Sequence, residues 1–177
     1  VFDQQRRKVG VGQESKGLDP ILGECSDIIV YGFSEQVIKV IQSFYGRSLA
    51  TSKKRRIHVL ECRTKTLYSA TGNLLYLDGQ RYATRLRQAL AGHDVEISIE
   101  PDVAVSRILS SAKTPREKGS GSQDAVLLMG SNAVYPKDGF VHSMGHQTVA
   151  SAARHSGNCK VVVVTDSMKI GVKWPMD

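Results

Sequence analysis

Apolar residues along the chain fall into short continuous runs that alternate with stripes spaced by three or four residues. The first run is DIIVY at residues 27–31, which is followed by Gly32 and is typical of a strand buried on both faces of a parallel sheet. Residues 35–45 then carry an apolar stripe at helical spacing, with Ser34 as the predicted N-cap and Gly46 as the predicted end. The regular part of the chain therefore begins with a strand, a tight turn and a helix.

The same alternation continues to the end of the chain. Further strands are predicted at residues 57–62, 95–99, 125–129 and 160–165. Further helices are predicted at residues 78–91, at 102–109 with Asp102 as the cap, and at 147–155, and a turn-rich insert is predicted at 135–140. Five strands that alternate with four helices predict an α/β fold whose mostly parallel sheet, of at least five strands, is covered on both sides.

Four segments lack this regular pattern. Residues 1–19 are predicted to form a flexible arm, followed by a single domain over residues 20–177. Residues 46–56 and 113–123 are long and polar, and we expect disorder or partner contact there. Residues 64–77 are unusually apolar for a loop, so we expect this segment to cover another part of the protein.

Size and hydropathy set the class of protein. The chain has 177 residues and a mass of 19.4 kDa, its apolar fraction is 41% and its mean hydropathy is -0.22, which predicts one folded core rather than a disordered chain. The longest apolar run, residues 125–129, is far shorter than a membrane span requires. The first residues have neither an initiating Met nor the apolar core of a signal peptide. We expect a cytoplasmic chain, trimmed at its start, with no membrane contact.

The net charge of +7 raises the question of nucleic-acid binding. Five basic residues without an acid lie within residues 46–58, so most of the excess charge is local. The four Phe, six Tyr and one Trp do not interleave with this basic run, which leaves a base-stacking surface unsupported. We therefore expect a solvated loop or a contact with an acidic partner, and no direct nucleic-acid binding.

The three cysteines, Cys25, Cys62 and Cys159, are too few and too widely spaced for a disulfide framework or a metal knuckle, so we expect reduced thiols. A nucleophilic role for Cys62 requires a base or a cation beside it, and the sequence does not place His58 there. Side-chain alternation along the strand favours a core position for Cys62 instead.

His142, His146 and His155 have spacings that suit metal ligands. However, a glycine turn separates the first two, and no carboxylate accompanies them as a further ligand. The alternatives are hydrogen bonds to the backbone at a helix entry or positions at a pocket mouth. We expect no metal and no cofactor.

Candidate binding residues follow from the sheet, because parallel sheets bind ligands at the carboxyl ends of their strands. Residues 32–34, 61–63, 130–132 and 165–167 should therefore be neighbours. The chain contains neither GxGxxG nor a P-loop, so it has no nucleotide fingerprint. Two features stay open: Gly145 opens a helix that either binds an anion or is a plain helix start, and Glu61 and Arg63 either hold a polar ligand or pair with each other.

Five stretches of the sequence resemble the regulatory subunits (alpha, beta and delta) of eukaryotic translation initiation factor 2B, most closely the delta subunit. They are DIIVYGFSEQVIKVI at 27–41, VLECR at 59–63 with DGQR at 78–81, PDVAVSRIL at 101–109, LLMGSNAVYPKDGFVHSMGHQTVASAARH at 127–155 and KVVVVTDSMKI at 160–170. The resemblance implies a Rossmann-like three-layer sandwich of the NagB/RpiA/CoA-transferase-like type. The helical N-terminal domain usual in this family has no counterpart here.

The wider family includes methylthioribose-1-phosphate and ribose-1,5-bisphosphate isomerases, which carry a Cys in the first turn and an Asp after the fourth strand. This sequence has Gly32 and Asn132 at those places, and His142 and Ser143 where the isomerases have an Asn-Lys pair. Neither glycine nor a neutral amide can move the protons of an aldose-ketose isomerisation. The resemblance therefore implies a non-catalytic subunit with a residual ligand pocket at Gly32, Phe33, Ser34, Glu61, Arg63, Asn132, His142, Gly145 and His146.

The leading hypothesis is a regulatory or scaffold subunit of the guanine-nucleotide exchange complex for initiation factor 2, acting in translation initiation. The partners that the resemblance implies are other initiation factor 2B subunits, initiation factor 2, a second copy of the chain, and a sugar phosphate, phosphate or nucleotide in the pocket. The alternative is a sugar-phosphate isomerase whose catalytic groups have moved, with Cys62 and Asp166 as the candidates.

Overall fold

The computed structural model describes residues 18–47, 55–61, 67–68, 74–76, 78–111, 125–135, 139–142 and 145–171. Its strands are β1 (Asp27–Tyr31), β2 (Arg55–Glu61), β3 (Leu67–Tyr68), β4 (Leu74–Tyr76), β5 (Val95–Pro101), β6 (Ala125–Met129), β7 (Ala133–Tyr135), β8 (Gly139–Val141) and β9 (Cys159–Val163). Its helices are α1 (Asp19–Glu24), α2 (Glu35–Arg47), α3 (Asp78–Ala89), α4 (Val105–Ser111) and α5 (His146–Ser156), with 3₁₀ turns at Asp102–Ala104 and Ser167–Lys169.

Five of these strands form one parallel sheet in the order β5-β2-β1-β6-β9. The chain builds outward from β1 to one edge and then returns to build outward from β6 to the other. This is a doubly wound α/β fold, as the sequence predicts, and its strand order reverses between β1 and β6. Ligands of such sheets bind at that reversal, beyond the carboxyl ends of the strands.

Side chains of β1 and β6 are buried at every position, because helices cover both faces of the sheet. One face packs against α1, α2 and α3, and the other against α4 and α5. The apolar stripe of α2 is buried as the sequence predicts, through Val37, Ile38, Ile41, Phe44 and Tyr45.

Several helix boundaries differ from the prediction. Helix α1, with Pro20 in its first turn, begins at the end of the predicted arm, and residues 1–17 lie outside the described residues. Helix α2 continues through Gly46 to Arg47, whose guanidinium bonds Ser43 at 2.7 Å and Asp19 of α1 at 2.9 Å. Asp102 lies inside a 3₁₀ turn rather than capping a helix from outside.

The prediction of a solvated basic loop is wrong for Arg55 and Arg56, which are the first two residues of β2. The side chain of Arg55 is buried, bonds the Gly23 carbonyl at 3.3 Å and stacks 5.1 Å from the centroid of the Phe44 ring. A long apolar stem lets an arginine be buried in this way, which a count of charges does not reveal. Lys53 and Lys54 lie outside the described residues.

Two antiparallel hairpins replace segments that the sequence analysis treats as loops. Strands β3 and β4 pair within the apolar segment 64–77, and β7 pairs with β8 in the insert that follows β6. Segment 113–123 falls outside the described part of the chain. Within the part that is described, every helix is too short or too polar to cross a bilayer.

Candidate functional site

The candidate site lies at the carboxyl ends of β1 and β6, where the strand order reverses. Gly32 follows β1 with a left-handed φ of 70°, which an L side chain adopts only with strain. Ser34 caps α2, since its hydroxyl accepts a 3.4 Å hydrogen bond from the backbone N–H of Val37. Gly130 follows β6 and abuts Ser34: a Cβ on this glycine would lie 2.7 Å from the Cβ of Ser34.

Two stacked imidazoles fill the space in front of Gly32. His142 follows β8 and His146 begins α5, and their ring centroids are 3.4 Å apart with an angle of 19° between the planes. The buried ring of His146 also lies 4.5 Å from the ring of Tyr31. A Cβ on Gly32 would collide with Nε2 of His146 and would lie 2.8 Å from its Cε1. The His146 ring therefore occupies the volume that a side chain at position 32 would need.

A second glycine closes the site from the side of α5. Gly145 precedes His146 with a φ of 94°, and a Cβ there would meet the hydroxyl of Tyr31 and lie 3.2 Å from its Cζ. The close approach of Tyr31 explains why the chain has glycine here, in addition to the helix start that the sequence indicates.

A small cavity lies at the carboxyl edge among the residues that the structure describes. The cavity beside Gly32 measures about 10 Å³ and is lined by Tyr31, Gly32, Phe33, Leu60, Asp78, Gly79 and Tyr82. That is room for about one water molecule, whereas pockets for small molecules usually exceed roughly 300 Å³.

Aromatic contacts define the outer wall of this cavity. Phe33 meets the ring of Tyr82 edge-on, with centroids 5.5 Å apart, and the guanidinium of Arg81 lies 4.1 Å from the Phe33 centroid. Burial raises the pKa of Tyr82 well above its usual value, and its hydroxyl has no hydrogen-bond partner in the described part of the protein. The motif DGQR at 78–81 contains Arg81, but nothing in the sequence signals its contact with Phe33.

The carboxyl end of β2 contributes Glu61. Its Oε1 is buried against the backbone of Gly79, where a Cβ would lie 3.0 Å away, and it has no hydrogen-bond partner among the residues that the structure describes. Arg63 and Cys62 lie outside those residues, so the Glu61–Arg63 pair and both readings of Cys62 stay predictions.

Residues after β6 and β9 contact one another, as the sequence predicts. The Ser131 hydroxyl donates to Thr165 Oγ1 at 2.8 Å, and Lys169 Nζ donates to the Ser131 carbonyl at 3.1 Å. Asn132 is exposed, and its backbone N–H bonds the Val141 carbonyl at 2.9 Å. Asp166 is also exposed, and its carboxylate accepts a 2.9 Å hydrogen bond from Met168 N, which makes it the cap of the 3₁₀ turn.

The three histidines do not come together. His155 is exposed on α5, where its Nδ1 lies 2.7 Å from the Ser151 carbonyl of the same helix. Across the described ranges, no group of three or more His, Cys, Asp or Glu side chains is arranged to hold a metal ion. Both described cysteines, Cys25 and Cys159, are free buried thiols, and burial raises the pKa of each to about 12, which leaves them unreactive.

A polar cluster that the sequence analysis misses lies toward the amino ends of the strands. Buried Asp27 accepts bonds from Arg56 at 2.8 Å and Ser26 at 2.8 Å, and one oxygen lies 2.9 Å from Nε2 of His58. The other nitrogen of His58 lies 3.1 Å from the Ser98 hydroxyl. Burial alone would raise the pKa of Asp27, but the hydrogen bonds from His58, Arg56 and Ser26 outweigh it and lower the pKa to about 2.

The Ser98, His58 and Asp27 side chains are connected as in a hydrolase triad, but their surroundings differ from those of a catalytic triad in two respects. Arg56 neutralises the carboxylate that would have to stabilise a histidinium, and the cluster lies away from the carboxyl edge where such sheets bind ligands. Its role is to join β1, β2 and β5. The only sequence signal was a pair of polar residues, Arg56 and His58, at alternate positions of a strand.

Comparisons with known proteins place the fold. No family model matches the chain, and no curated protein sequence matches it. Among solved structures, the chain is similar to a chain in the crystal structure of the tetrameric eIF2B-beta2-delta2 complex from C. thermophilum, with a TM-score of 0.60 and 18% sequence identity. The similarity covers 92% of this chain and 43% of that one. This chain therefore has the fold of a part of a subunit in that complex.

Proposed function

We propose that this protein is a non-catalytic regulatory or scaffold subunit of the initiation factor 2B type, acting in translation initiation. The fold similarity to a chain of the eIF2B-beta2-delta2 complex supports this proposal, since it extends over 92% of the chain. The five sequence stretches that resemble this family support it as well. The observation that carries the absence of catalysis is the His146 ring in the space above Gly32.

An isomerase of this fold needs an acid and a base beside a bound sugar phosphate. Gly32 has no side chain and the Asn132 amide does not titrate, so neither supplies a proton. Imidazoles are common acids and bases, but the cavity lined by Gly32, Phe33 and Tyr82 has a volume of about 10 Å³, which is far too small for a phosphorylated pentose. The candidate Asp166 is committed to capping a 3₁₀ turn.

The subunit would associate with other initiation factor 2B subunits or with a second copy of itself, and would sense initiation factor 2. The similarity covers 43% of the chain that this protein resembles, so the partners of that whole subunit are likewise only proposed for this chain. The carboxyl edge would keep at most a weak site for a sugar phosphate, phosphate or nucleotide, around Glu61 and Arg63.

Co-expression with the beta and delta subunits of initiation factor 2B tests the proposal. A tagged chain should retain these subunits through size-exclusion chromatography at physiological salt. A chain that elutes alone at every concentration would contradict the proposal. Thermal shift with ribose 1,5-bisphosphate, phosphate and GDP tests the residual pocket separately, because a bound ligand raises the unfolding temperature.

A further inference from the structure

The outer edge of β5 is open within the described part of the chain, because β5 is the last strand of the sheet on that side. A groove of about 300 Å³ runs beside it, between the strand and the C-terminal end of α3. The groove is lined by Arg87, Leu90, Ala91, Gly92, His93, Val95 and Ile97. An edge strand of seven residues can pair with an added strand unless something protects it.

In the described structure, one side chain protects the β5 edge against pairing with another strand. Arg87 reaches from α3 and donates a 3.1 Å hydrogen bond from Nη2 to the carbonyl of Ile97. Backbone groups alternate in direction along a strand, so Ile99 presents its N–H and carbonyl to the same outer edge as Ile97. Arg87 is exposed, and the bond to Ile97 can therefore be exchanged for another acceptor at little cost.

Charge and hydropathy of the groove indicate what would bind. Leu90, Val95 and Ile97 give it an apolar floor, while Arg87 and His93 are its basic groups. None of the residues that line the groove is acidic, and the Glu side chains of β5 alternate to the opposite face of the sheet. The exposed Asp94, just before the strand, is not part of the lining.

We propose that this edge binds an extended acidic segment of a partner protein by strand addition. The backbone of the segment pairs with Ile97 and Ile99, and an apolar side chain enters the groove over Leu90. An aspartate or glutamate of the segment replaces the Ile97 carbonyl as the acceptor of Arg87. Backbone pairing gives the affinity in this mode, and the charge selects the acidic segment. This binding does not depend on the role proposed above.

Fluorescence anisotropy of the full chain with a labelled eight-residue peptide of alternating Val and Glu tests the proposal. The peptide should bind, and Arg87→Gln should weaken binding about tenfold, the loss expected for one charge-assisted contact. Arg85→Gln is the matched control, because Arg85 is on the same helix but pairs with Glu35 outside the groove. A peptide with every backbone nitrogen methylated should not bind, since it has no N–H group left on either edge to pair with a strand.

Several outcomes would overturn the proposal. They are no binding of the Val/Glu peptide, equal binding of a Val/Lys peptide, equal binding of the methylated peptide, and equal loss in Arg85→Gln and Arg87→Gln. Concentration-dependent self-association that blocks binding of the Val/Glu peptide would assign the edge to a second copy instead. Because Arg85 and Arg87 are both exposed, neither variant should change the circular dichroism spectrum.

Discussion

The two ends of the central sheet use polar and titratable residues in opposite ways. At the amino end, Asp27 is buried and ionised, with Arg56, His58 and Ser26 bonded to it. At the carboxyl end, where ligands of this fold bind, close packing of Gly32 against His146 leaves a cavity of about 10 Å³. Among the described residues, the charged Asp27 cluster therefore stabilises the sheet, whereas at the other end the His146 ring occupies the space above Gly32.

The comparison indicates where function lies. A polar network away from the binding edge contributes stability and strand alignment, whatever its residue types. The proposed scaffold role and the proposed strand-edge site both use outer surfaces.

The largest predicted effect comes from filling the space at the carboxyl end. Gly32→Ala should destabilise the fold by about 3 kcal/mol, since it adds both the strain of a left-handed alanine and a collision with the His146 ring. Gly157→Ala is the matched control, because Gly157 has a similar φ of 73° and nothing lies within 4 Å of the added Cβ. Its cost should be about 1 kcal/mol, from backbone strain alone. Urea denaturation measures both.

A double-mutant cycle tests whether the collision with His146 causes the destabilisation by Gly32→Ala. If the His146 ring is the obstacle, Gly32→Ala should cost about 2 kcal/mol less in a His146→Ala background than in the wild type. Equal costs of Gly32→Ala in the two backgrounds, or equal costs of the two glycine substitutions, would show that the carboxyl end is not closed by this ring.

The next largest effect comes from breaking the network at the amino end. Asp27→Asn should destabilise by about 2 kcal/mol at pH 7, because it leaves His58 and Arg56 without their buried carboxylate; half-exposed Arg56 recovers part of its hydration. Asp19→Asn removes the other described Asp–Arg pair between elements, which is exposed, and should cost about 0.5 kcal/mol. Chemical denaturation separates the two values.

The stability that Asp27 contributes should depend on pH. The pKa of Asp27 is lowered from 3.8 to about 2 in the folded protein. Its ionised carboxylate therefore stabilises the fold above about pH 4, and this contribution is lost as the pH falls toward 2. The stability difference between wild type and Asp27→Asn should shrink by about 2 kcal/mol over that interval. A difference that stays constant with pH would show that the carboxylate charge is not involved.

The smallest predicted effect has the opposite sign. The Tyr82 hydroxyl is buried without a hydrogen-bond partner in the described structure, so Tyr82→Phe should stabilise the fold by about 1 kcal/mol. Thermal denaturation at pH 7 measures it. A loss of stability would mean that the hydroxyl is hydrogen-bonded at the candidate site.

The elements of the sheet could be predicted from the sequence because burial on both faces leaves continuous apolar runs such as residues 27–31. The stripe of α2 was equally visible. The sequence could not reveal that α2 continues through Gly46, because the Arg47–Asp19 pair that helps hold its last turn joins residues far apart in sequence. The burial of Arg55 depends in the same way on a tertiary contact, with Phe44.

The position of the candidate site could be predicted from the sequence, but the packing of its side chains could not. Strand ends identified Gly32, Ser34 and Gly130 as neighbours, since parallel strands end at one edge. The stacking of His142 on His146 and the filling of the space above Gly32 depend on the path of the β7–β8 hairpin, which the sequence analysis treated as a turn-rich insert. The Asp27 network was missed because its members come from three strands.

The proposed function requires that the carboxyl end of the sheet does not isomerise a sugar phosphate. The most direct measurement is ³¹P NMR of the purified protein with methylthioribose 1-phosphate and with ribose 1,5-bisphosphate over several hours. Both spectra should stay unchanged. Interconversion that is abolished by Cys62→Ser or by His146→Ala would contradict the proposed function.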